Sequence, residues 1–181
     1  QFLNDNTGPL RDSYEISGLL PDEITTPPGH AEGVLNEITP SGNIILVHNT
    51  FADPETVRKV IGRKNTWWCL CPGSNLYVEG RMPPVDMLIS EGCELVIGTD
   101  SLASNKTLSI LSEMKLISGY FPAVGLEDLV RWATLNGARA LEKENSFGKI
   151  APGMRPGLLL LENADLVNMK LLPETTVRRL L

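Results

Sequence analysis

Three polar segments follow three short apolar runs along this chain, and they hold the side chains that could do chemistry. His48 follows the run NIILV, Ser74 and Asn75 follow TWWCL, and Asp100 follows ELVI. A histidine in such a place can bind a metal, orient a water molecule or transfer a proton. A carboxylate can bind a divalent ion and accept a proton from the bound water. These residue types indicate metal-assisted hydrolytic chemistry, with Asp100 and His48 as catalytic residues and Asp100 as a metal ligand.

Each of these residues also has a structural alternative. His48 could bond a loop carbonyl, and Asp100 could cap the helix that follows it. Ser74, Asn75 and Ser101 could contact a substrate or bond the backbone of their own turns. We favour function for His48 and Asp100, because polar groups that end successive parallel strands meet at one edge of the sheet. For the other three residues, substrate binding is an expectation that leaves the turn alternative open.

The elements that must position these side chains alternate between strand and helix. Buried strands are predicted at residues 43–47, 66–70 and 94–97, and residues 71–75 are interpreted as a turn-rich loop. Helices are predicted at residues 26–37, 53–61, 83–90, 108–118 and 126–140, the last bent at Asn136-Gly137. Strands that alternate with helices favour right-handed βαβ units and a parallel sheet. An unrelated doubly wound fold ranks last, because no Gly-rich phosphate loop follows the first strand.

Composition bounds the class of protein. With 181 residues, of which 42% are hydrophobic, the chain suits one globular domain and is too short for a barrel of about 250 residues. The net charge of −6 argues against nucleic acid as a partner. The chain has no apolar run near the ~18 residues of a membrane span, and we expect its first residues not to form a signal peptide. Three cysteines indicate a reducing compartment, and we expect a cytoplasmic protein.

The pair Cys69-x-Cys71 has two interpretations. It could be half of a metal site, or it could mark alternate residues of a buried strand. We favour the strand, because no second cysteine pair accompanies it. Trp67 and Trp68 are interpreted as core residues, Asp53 as a helix cap and His30 as a surface residue.

The ordered motifs ILVHN, CPGSNLYV, IGTDSLASN, TLNGARAL and FGKIAPGM resemble the C-terminal half of the amidohydrolase superfamily. The similar branch contains cytosine and guanine deaminases, adenosylhomocysteine-type deaminases and chlorohydrolases, and the resemblance spans roughly residues 40–162. It implies a partial (β/α)8 TIM-type barrel, α/β in class, with strands six to eight and a short C-terminal β appendage. The implied division is a connecting segment at 1–28, barrel at 29–145 and part of a β-sandwich at 146–181.

The resemblance also implies roles for single residues. His48 matches the strand-six histidine that contacts the hydrolytic water or the substrate. Asp100 matches the strand-eight aspartate, which is a ligand of zinc, or of iron, and a proton shuttle. Leu70 stands where the family often has a histidine. The leucine lacks the polar group of that histidine, which puts nucleoside-type specificity in doubt. Pro156-Gly157 replaces the usual Ala-Asp pair.

The family's remaining metal ligands, a His-x-His on strand one and a histidine on strand five, would lie before Gln1. We therefore expect a fragment of a metal-dependent amidohydrolase that hydrolyses a C–N bond of a heterocyclic small molecule by deamination. The alternative is a catalytically inactive fragment or interaction module with a vestigial site. The chain alone is expected to bind no metal tightly. Its expected partners are a small-molecule substrate and a second copy of the chain, because unpaired strand edges associate; nucleic acid and membrane are not expected.

Overall fold

Three parallel strands form the central sheet of the chain, which this computed structural model describes at residues 8–19, 42–63 and 65–181. The strands are β1 (Ile44–Val47), β2 (Thr66–Leu70) and β3 (Glu94–Ile97), and they lie side by side in that order. Both strand pairs are parallel. The predicted parallel sheet is therefore confirmed, and its three carboxyl ends meet at one edge.

Helices follow each strand of the sheet. Their bounds are α1 Pro9–Ile16, α2 Pro54–Ile61, α3 Pro72–Glu79, α4 Val85–Ser90, α5 Ile110–Tyr120, α6 Leu126–Arg131, a π-helical turn at Trp132–Asn136, and α7 Gly137–Ala140. The helices predicted at 53–61, 83–90 and 108–118 are confirmed within a few residues. The helix predicted at 26–37 and His30 lie outside the described residues.

The expectation of a loop after the second strand is wrong. Residues 72–79 form helix α3, with Pro72 in its first position. Proline suits that position because its φ is already helical and its missing N–H would have no helical partner. Gly80 ends the helix in the left-handed region at φ 67°, which glycine adopts without strain. Ser74 and Asn75 are therefore carried by a helix.

Two further expectations need correction. The irregular segment expected at residues 1–28 contains helix α1, which Pro9 begins and an ion pair between Arg11 and Glu15 stabilises at i, i+4 spacing. The bend expected at Asn136-Gly137 is a π-helical turn that begins earlier, at Trp132. There, Asn136 turns its amide inward and donates a hydrogen bond of 2.8 Å to the carbonyl of Leu95 in β3.

The main core lies between the sheet and the helices. Trp68, Leu70 and Leu95 from the strands pack there against apolar side chains of the helices, which include Val57, Val60, Leu88, Ile117 and Leu129. Burying one such side chain contributes about 1.5–3 kcal/mol relative to leaving it exposed. Trp67 packs on the opposite face of the sheet with Val96 and Ala140. The prediction that both tryptophans belong to the core is confirmed, since they are 8% and 2% exposed.

Asp53 begins helix α2 as its N-cap. Its Oδ1 accepts a hydrogen bond of 3.0 Å from the Thr56 amide, and its Oδ2 accepts one of 2.7 Å from the Thr56 hydroxyl. These bonds lower the pKa of Asp53, since they stabilise the ionised carboxylate. The predicted capping role is confirmed.

Replacing Asp53 with alanine should lower the free energy of unfolding by about 1 kcal/mol, because the Thr56 amide loses its acceptor. Urea denaturation measures this change. The matched control is Asp53→Asn, which keeps a capping oxygen and should lose less. Equal stabilities for the alanine variant and the wild type would contradict the capping contribution.

The C-terminal segment forms a separate antiparallel pair. Strand β4 (Leu159–Glu162) pairs with β5 (Thr176–Arg179), as the sequence predicts for a β appendage. Leu171 between them enters the main core, and the Met169 carbonyl accepts a hydrogen bond of 2.9 Å from the amide of Leu126 in α6. The appendage is thereby attached to the helical layer. Among the described residues, every helix is too short or too polar to cross a membrane.

Candidate active site

His48 and Asp100 meet at the carboxyl edge of the sheet. His48 follows β1 and Asp100 follows β3, and their side chains approach to 3.7 Å between Nε2 and Oδ2. About a third of each side chain is exposed to solvent. The prediction that they converge is confirmed. Their catalytic roles stay predictions, but this distance lets them share a water molecule or an ion.

Both residues hold their side chains in place with an uncommon backbone conformation. His48 has φ 69° and Asp100 has φ 58°, both in the left-handed region. Such a conformation costs on the order of 1–3 kcal/mol, although His, Asn and Asp adopt it more readily than other side chains. A backbone hydrogen bond of 3.0 Å from the His48 amide to the Cys69 carbonyl holds the first of them. Strain of this kind clusters at functional sites.

Two hydroxyl groups hold the carboxylate of Asp100. The hydroxyl of Ser104 donates to Oδ2 at 2.6 Å, and that of Ser74 donates to the same oxygen at 2.8 Å. The Ser104 bond first, and then the Ser74 bond, lower the pKa of Asp100 below its usual value of about 4. A lowered pKa means that these bonds stabilise the fold above pH ~4 and that this contribution is lost as the pH falls through the lowered pKa. Asp100 is therefore ionised at neutral pH and able to accept a proton or bind a cation.

Asn75 lies beside the imidazole of His48 and joins it to two further side chains. Its Nδ2 lies 3.5 Å from His48 Nδ1, and it also donates to Glu79 Oε2 at 3.0 Å and to the hydroxyl of Thr50. The amide nitrogen must face Glu79, because an amide oxygen there would oppose a carboxylate oxygen. Both hydrogens of this nitrogen are donated to Glu79 and Thr50, so its 3.5 Å approach to Nδ1 of His48 is a contact that leaves either tautomer of the imidazole open. The hydroxyl of Thr50 donates to Glu79 and completes the chain.

The structure brings two of the three expected substrate-binding residues into this site. Ser74 and Asn75 are each 1% exposed, and their side chains bond to Asp100 and to the neighbours of His48. Ser101 is exposed, and its hydroxyl accepts a hydrogen bond of 3.3 Å from the Ala103 amide within its own turn. Substrate contact by these three residues stays a prediction.

Sequence reasoning missed three acidic or hydroxyl residues that belong to the network. Thr50 stands two residues after His48, and Glu79 stands four residues after Asn75, which is one turn along α3. That spacing would have indicated Glu79 if the helix had been recognised. Glu113 lies on the apolar side of α5 with Met114 and Ile117, and a charge on such a stripe is the signal that could have found it.

Leu70 does not face the site. Its side chain is 1% exposed and lies in the core between the sheet and the helices. The inference that leucine here removes a polar group from the site is therefore wrong for this structure, since a side chain at position 70 points to the helical layer.

Cys69 and Cys71 lie close together near the end of β2. Their sulfur atoms are 3.9 Å apart, and both residues are free thiols. The hydrogen bond between them raises the pKa of Cys71 and lowers that of Cys69. Cys71 lies beyond the strand, at the N-cap of α3, so the interpretation as alternate strand residues holds only for Cys69.

A divalent ion would find part of a coordination set here. The ionised carboxylate of Asp100 is a suitable oxygen ligand, and the imidazole of His48 is near it. Within the described residues, no group of three or more His, Cys, Asp or Glu side chains could enclose a metal ion. Asp100 therefore fits the metal as one ligand of a larger set and not as a complete site.

A cavity of about 980 Å³ opens elsewhere, between α3, α5 and residues 170–173. Tyr77, Lys106 and Leu116 contribute to its walls, whereas His48 and Asp100 do not. The candidate active site is thus the open edge of the sheet and not this cavity.

Comparison with known sequences shows the protein family to which this chain belongs. The profile of the amidohydrolase family matches residues 24–177. The 5-methylthioadenosine/S-adenosylhomocysteine deaminase of Pyrococcus abyssi is 34% identical over 148 residues, which are 78% of this chain and 32% of that protein.

Comparison with solved structures gives the same fold. An adenosine deaminase from Xanthomonas campestris with bound zinc has a TM-score of 0.57 and 31% identity over 64% of this chain and 28% of its own. The Helicobacter pylori aminofutalosine deaminase in complex with methylthio-coformycin has a TM-score of 0.68 over 86% of this chain and 38% of its own. At 23% identity, this second likeness shows the fold alone. The chain spans less than two fifths of the length of each of these proteins.

Proposed function

Because this chain belongs to the amidohydrolase family, we propose that it is the C-terminal part of a metal-dependent hydrolase that deaminates a heterocyclic small molecule. The observation that carries the proposal is the approach of His48 and Asp100 to 3.7 Å at the ends of parallel strands. The names of the relatives, which are deaminases of adenosine-type compounds, support the reaction and the substrate class.

In this proposal, β1, β2 and β3 are strands six, seven and eight of a barrel. Residues 29–145 belong to the barrel, 1–28 connect to it, and 146–181, with the pair β4 and β5, belong to a β-sandwich. The likeness to solved amidohydrolase structures supports a barrel, and the order of the three strands agrees with this numbering. The remaining metal ligands come from other residues of the complete protein.

The residues of this chain would divide the chemistry between them. A divalent ion, zinc or else iron, lowers the pKa of a coordinated water toward 7 when it is bound. Asp100 would contribute its carboxylate as one ligand and take a proton from the attacking water. His48 would steady that water or the charge that develops on the substrate as the water adds. The water oxygen forms a bond to the ring carbon, the C–N bond to the amino group breaks, and the amino group leaves as ammonia with a proton that the water supplied.

The open edge of the sheet beside these two residues would take the substrate. Ser74 and Asn75 belong to the hydrogen-bond network around His48 and Asp100, and Ser101 directly follows Asp100, so we propose that all three also contact the substrate. A ring with an exocyclic amino group, such as an adenine or a guanine, is the expected substrate class.

Ammonia release tests the proposal. The complete protein, loaded with zinc, should release ammonia from at least one of adenosine, methylthioadenosine, S-adenosylhomocysteine and guanine. A chelator should abolish this turnover, and added zinc should restore it, because the nucleophile depends on the ion. The isolated chain of 181 residues is the control, and it should bind zinc weakly and show no turnover. Zinc-loaded complete protein that acts on none of these compounds would contradict the proposal.

Association with a second copy stays a prediction. On the sheet face that lies away from the main core, Ile45 and Val47 are 37% and 48% exposed. Exposed apolar surface of this kind favours association. A small molecule is the other expected partner, and the proposed location is the cytoplasm. Light scattering of the purified chain distinguishes a dimer from a monomer.

A further inference from the structure

Glu113 is a buried acid that the proposed chemistry does not use. It lies in the first turn of α5 and is 0% exposed. A carboxylate in such a place is unfavourable unless its oxygens accept hydrogen bonds. The hydrogen-bond partners of Glu113 therefore explain how a carboxylate can be buried here.

Each oxygen of Glu113 bonds to a different segment of the candidate site. Oε2 accepts a hydrogen bond of 2.7 Å from the Gly73 amide at the start of α3. Oε1 accepts one of 2.8 Å from the side-chain amide of Asn105. The same amide of Asn105 donates a bond of 2.7 Å to the carbonyl of Thr99, the residue before Asp100. One carboxylate thus joins the helix that carries Ser74 to the loop that carries Asp100.

The absence of a side chain at Gly73 gives independent support. A Cβ atom there would lie 2.7 Å from both amide atoms of Asn105 and 2.8 Å from Oε1 of Glu113. Separations this short force the neighbours to move. Glycine therefore leaves the space that Glu113 and Asn105 occupy against the helix.

Helix α3 also lacks a cap of its own. Cys71, its N-cap residue, makes no side-chain capping hydrogen bond. The first amides of a helix need an acceptor from outside the helix. The carboxylate of Glu113 supplies one to Gly73 and places a negative charge at the positive end of the helix dipole.

We propose that Glu113 is a positioning residue, which joins the start of α3 to the loop after β3 so that the Ser74 hydroxyl meets the Asp100 carboxylate. The inference rests on the proposed function, because it assigns Glu113 a part in the same reaction. Glu113 touches neither substrate nor metal ion in this scheme. It acts through Gly73 on one side and through Asn105 on the other.

Glutamine is the sharpest replacement, because it keeps the shape and removes one acceptor. In Glu113→Gln, the new NH2 group must face either the Gly73 amide or the Asn105 amide, and both are donors. Asn105 cannot turn its oxygen to Glu113 without giving up its bond to Thr99. One of the two connections is therefore lost, although the volume of the side chain is unchanged.

The test combines a structural readout with a kinetic one in the complete zinc-loaded protein. In Glu113→Gln, hydrogen exchange at the Gly73 amide or at the side-chain amide of Asn105 should be at least about tenfold faster. The kcat per zinc-loaded molecule should fall about 10- to 100-fold, as is typical when the partner of an active-site group is lost, with KM within about twofold. Gly73→Ala should give the same kinetic pattern, because it separates the same atoms from the other side. The control is Glu127→Gln at an exposed glutamate of α6, which should leave both readouts unchanged.

The outcomes separate the two proposals. Faster exchange at either amide with wild-type kcat would show a structural contact only and overturn the positioning role. Unchanged exchange at both the Gly73 amide and the Asn105 side-chain amide in Glu113→Gln would overturn the connection itself, whether or not the protein is active. If Glu113→Gln does not fold, Gly73→Ala decides, and an unchanged kcat in that variant overturns the role. A complete wild-type protein without hydrolase activity would refute the proposed function, and the positioning role with it, whereas the exchange result would still report on the connection.

Discussion

Replacing Asp100 with asparagine is expected to lower the kcat of the complete enzyme by about a thousandfold or more and to release its metal. The amide cannot take the proton of the attacking water, and loss of proton transfer alone costs about 10²–10⁴ in rate. Asparagine also lacks the negative charge with which the Asp100 carboxylate would bind the metal ion. The variant should fold, because asparagine tolerates the left-handed conformation at φ 58° and its amide oxygen still accepts from Ser74 and Ser104.

Steady-state kinetics and elemental analysis of the bound metal check this expectation together. Asp86→Asn is the matched control, since it makes the same chemical change at an exposed residue of α4 and should alter neither quantity. An Asp100→Asn variant that keeps its metal and at least a tenth of the wild-type kcat would remove Asp100 from the proposed chemistry.

Replacing His48 with asparagine should give a different pattern, in which kcat falls about 10²–10³-fold while the metal is retained. The shorter side chain cannot reach the place where Nε2 of His48 now stands, 3.7 Å from Asp100, and a hydrogen-bonding group held there is worth about this much when charge develops. The fold should persist, because asparagine also tolerates φ 69°.

The comparison of the two variants separates the roles of His48 and Asp100. Metal content measured beside kcat is the decisive readout, and circular dichroism verifies that each variant is folded. Loss of metal in His48→Asn would make His48 a ligand, and a kcat within a few fold of the wild type would exclude a role in the reaction. Asn49→Ser, at the neighbouring left-handed residue, controls for a change in the loop alone.

The sheet could be predicted from the sequence, because each strand is a compact apolar run bounded by polar turn residues. Helix α3 could not, because the residues Pro72-Gly73-Ser74-Asn75 are individually typical of turns. What makes them helical is partly distant, since the acceptor for the Gly73 amide is Glu113, which lies 40 positions along the chain. The helix propensities of these four residues do not reflect such a distant partner. Here the tertiary contacts decide the conformation and local propensity does not.

The candidate site, like the fold, could be predicted from the sequence only in part. His48 and Asp100 can be predicted because they end strands, and parallel strands bring such residues to one edge. The orientation of Leu70 toward the core follows from its strand alternation with Trp68, whereas the family resemblance implied a place in the site. The importance of Thr50 and Glu79 comes from their shared contact with Asn75, which depends on residues 72–79 being a helix.

The order of the strands has a consequence for how quickly the chain folds. Neighbours in the sheet are also neighbours in sequence, and each pair is joined by a short connection, residues 48–65 and 71–93. Contacts between such elements have a low contact order for a parallel sheet, and low contact order accompanies rapid folding. Closing each connection costs conformational entropy, and the strand pair that then forms offsets this cost before the next connection closes. Stopped-flow fluorescence should therefore show the two tryptophans of β2 becoming buried in a rapid phase as the sheet forms.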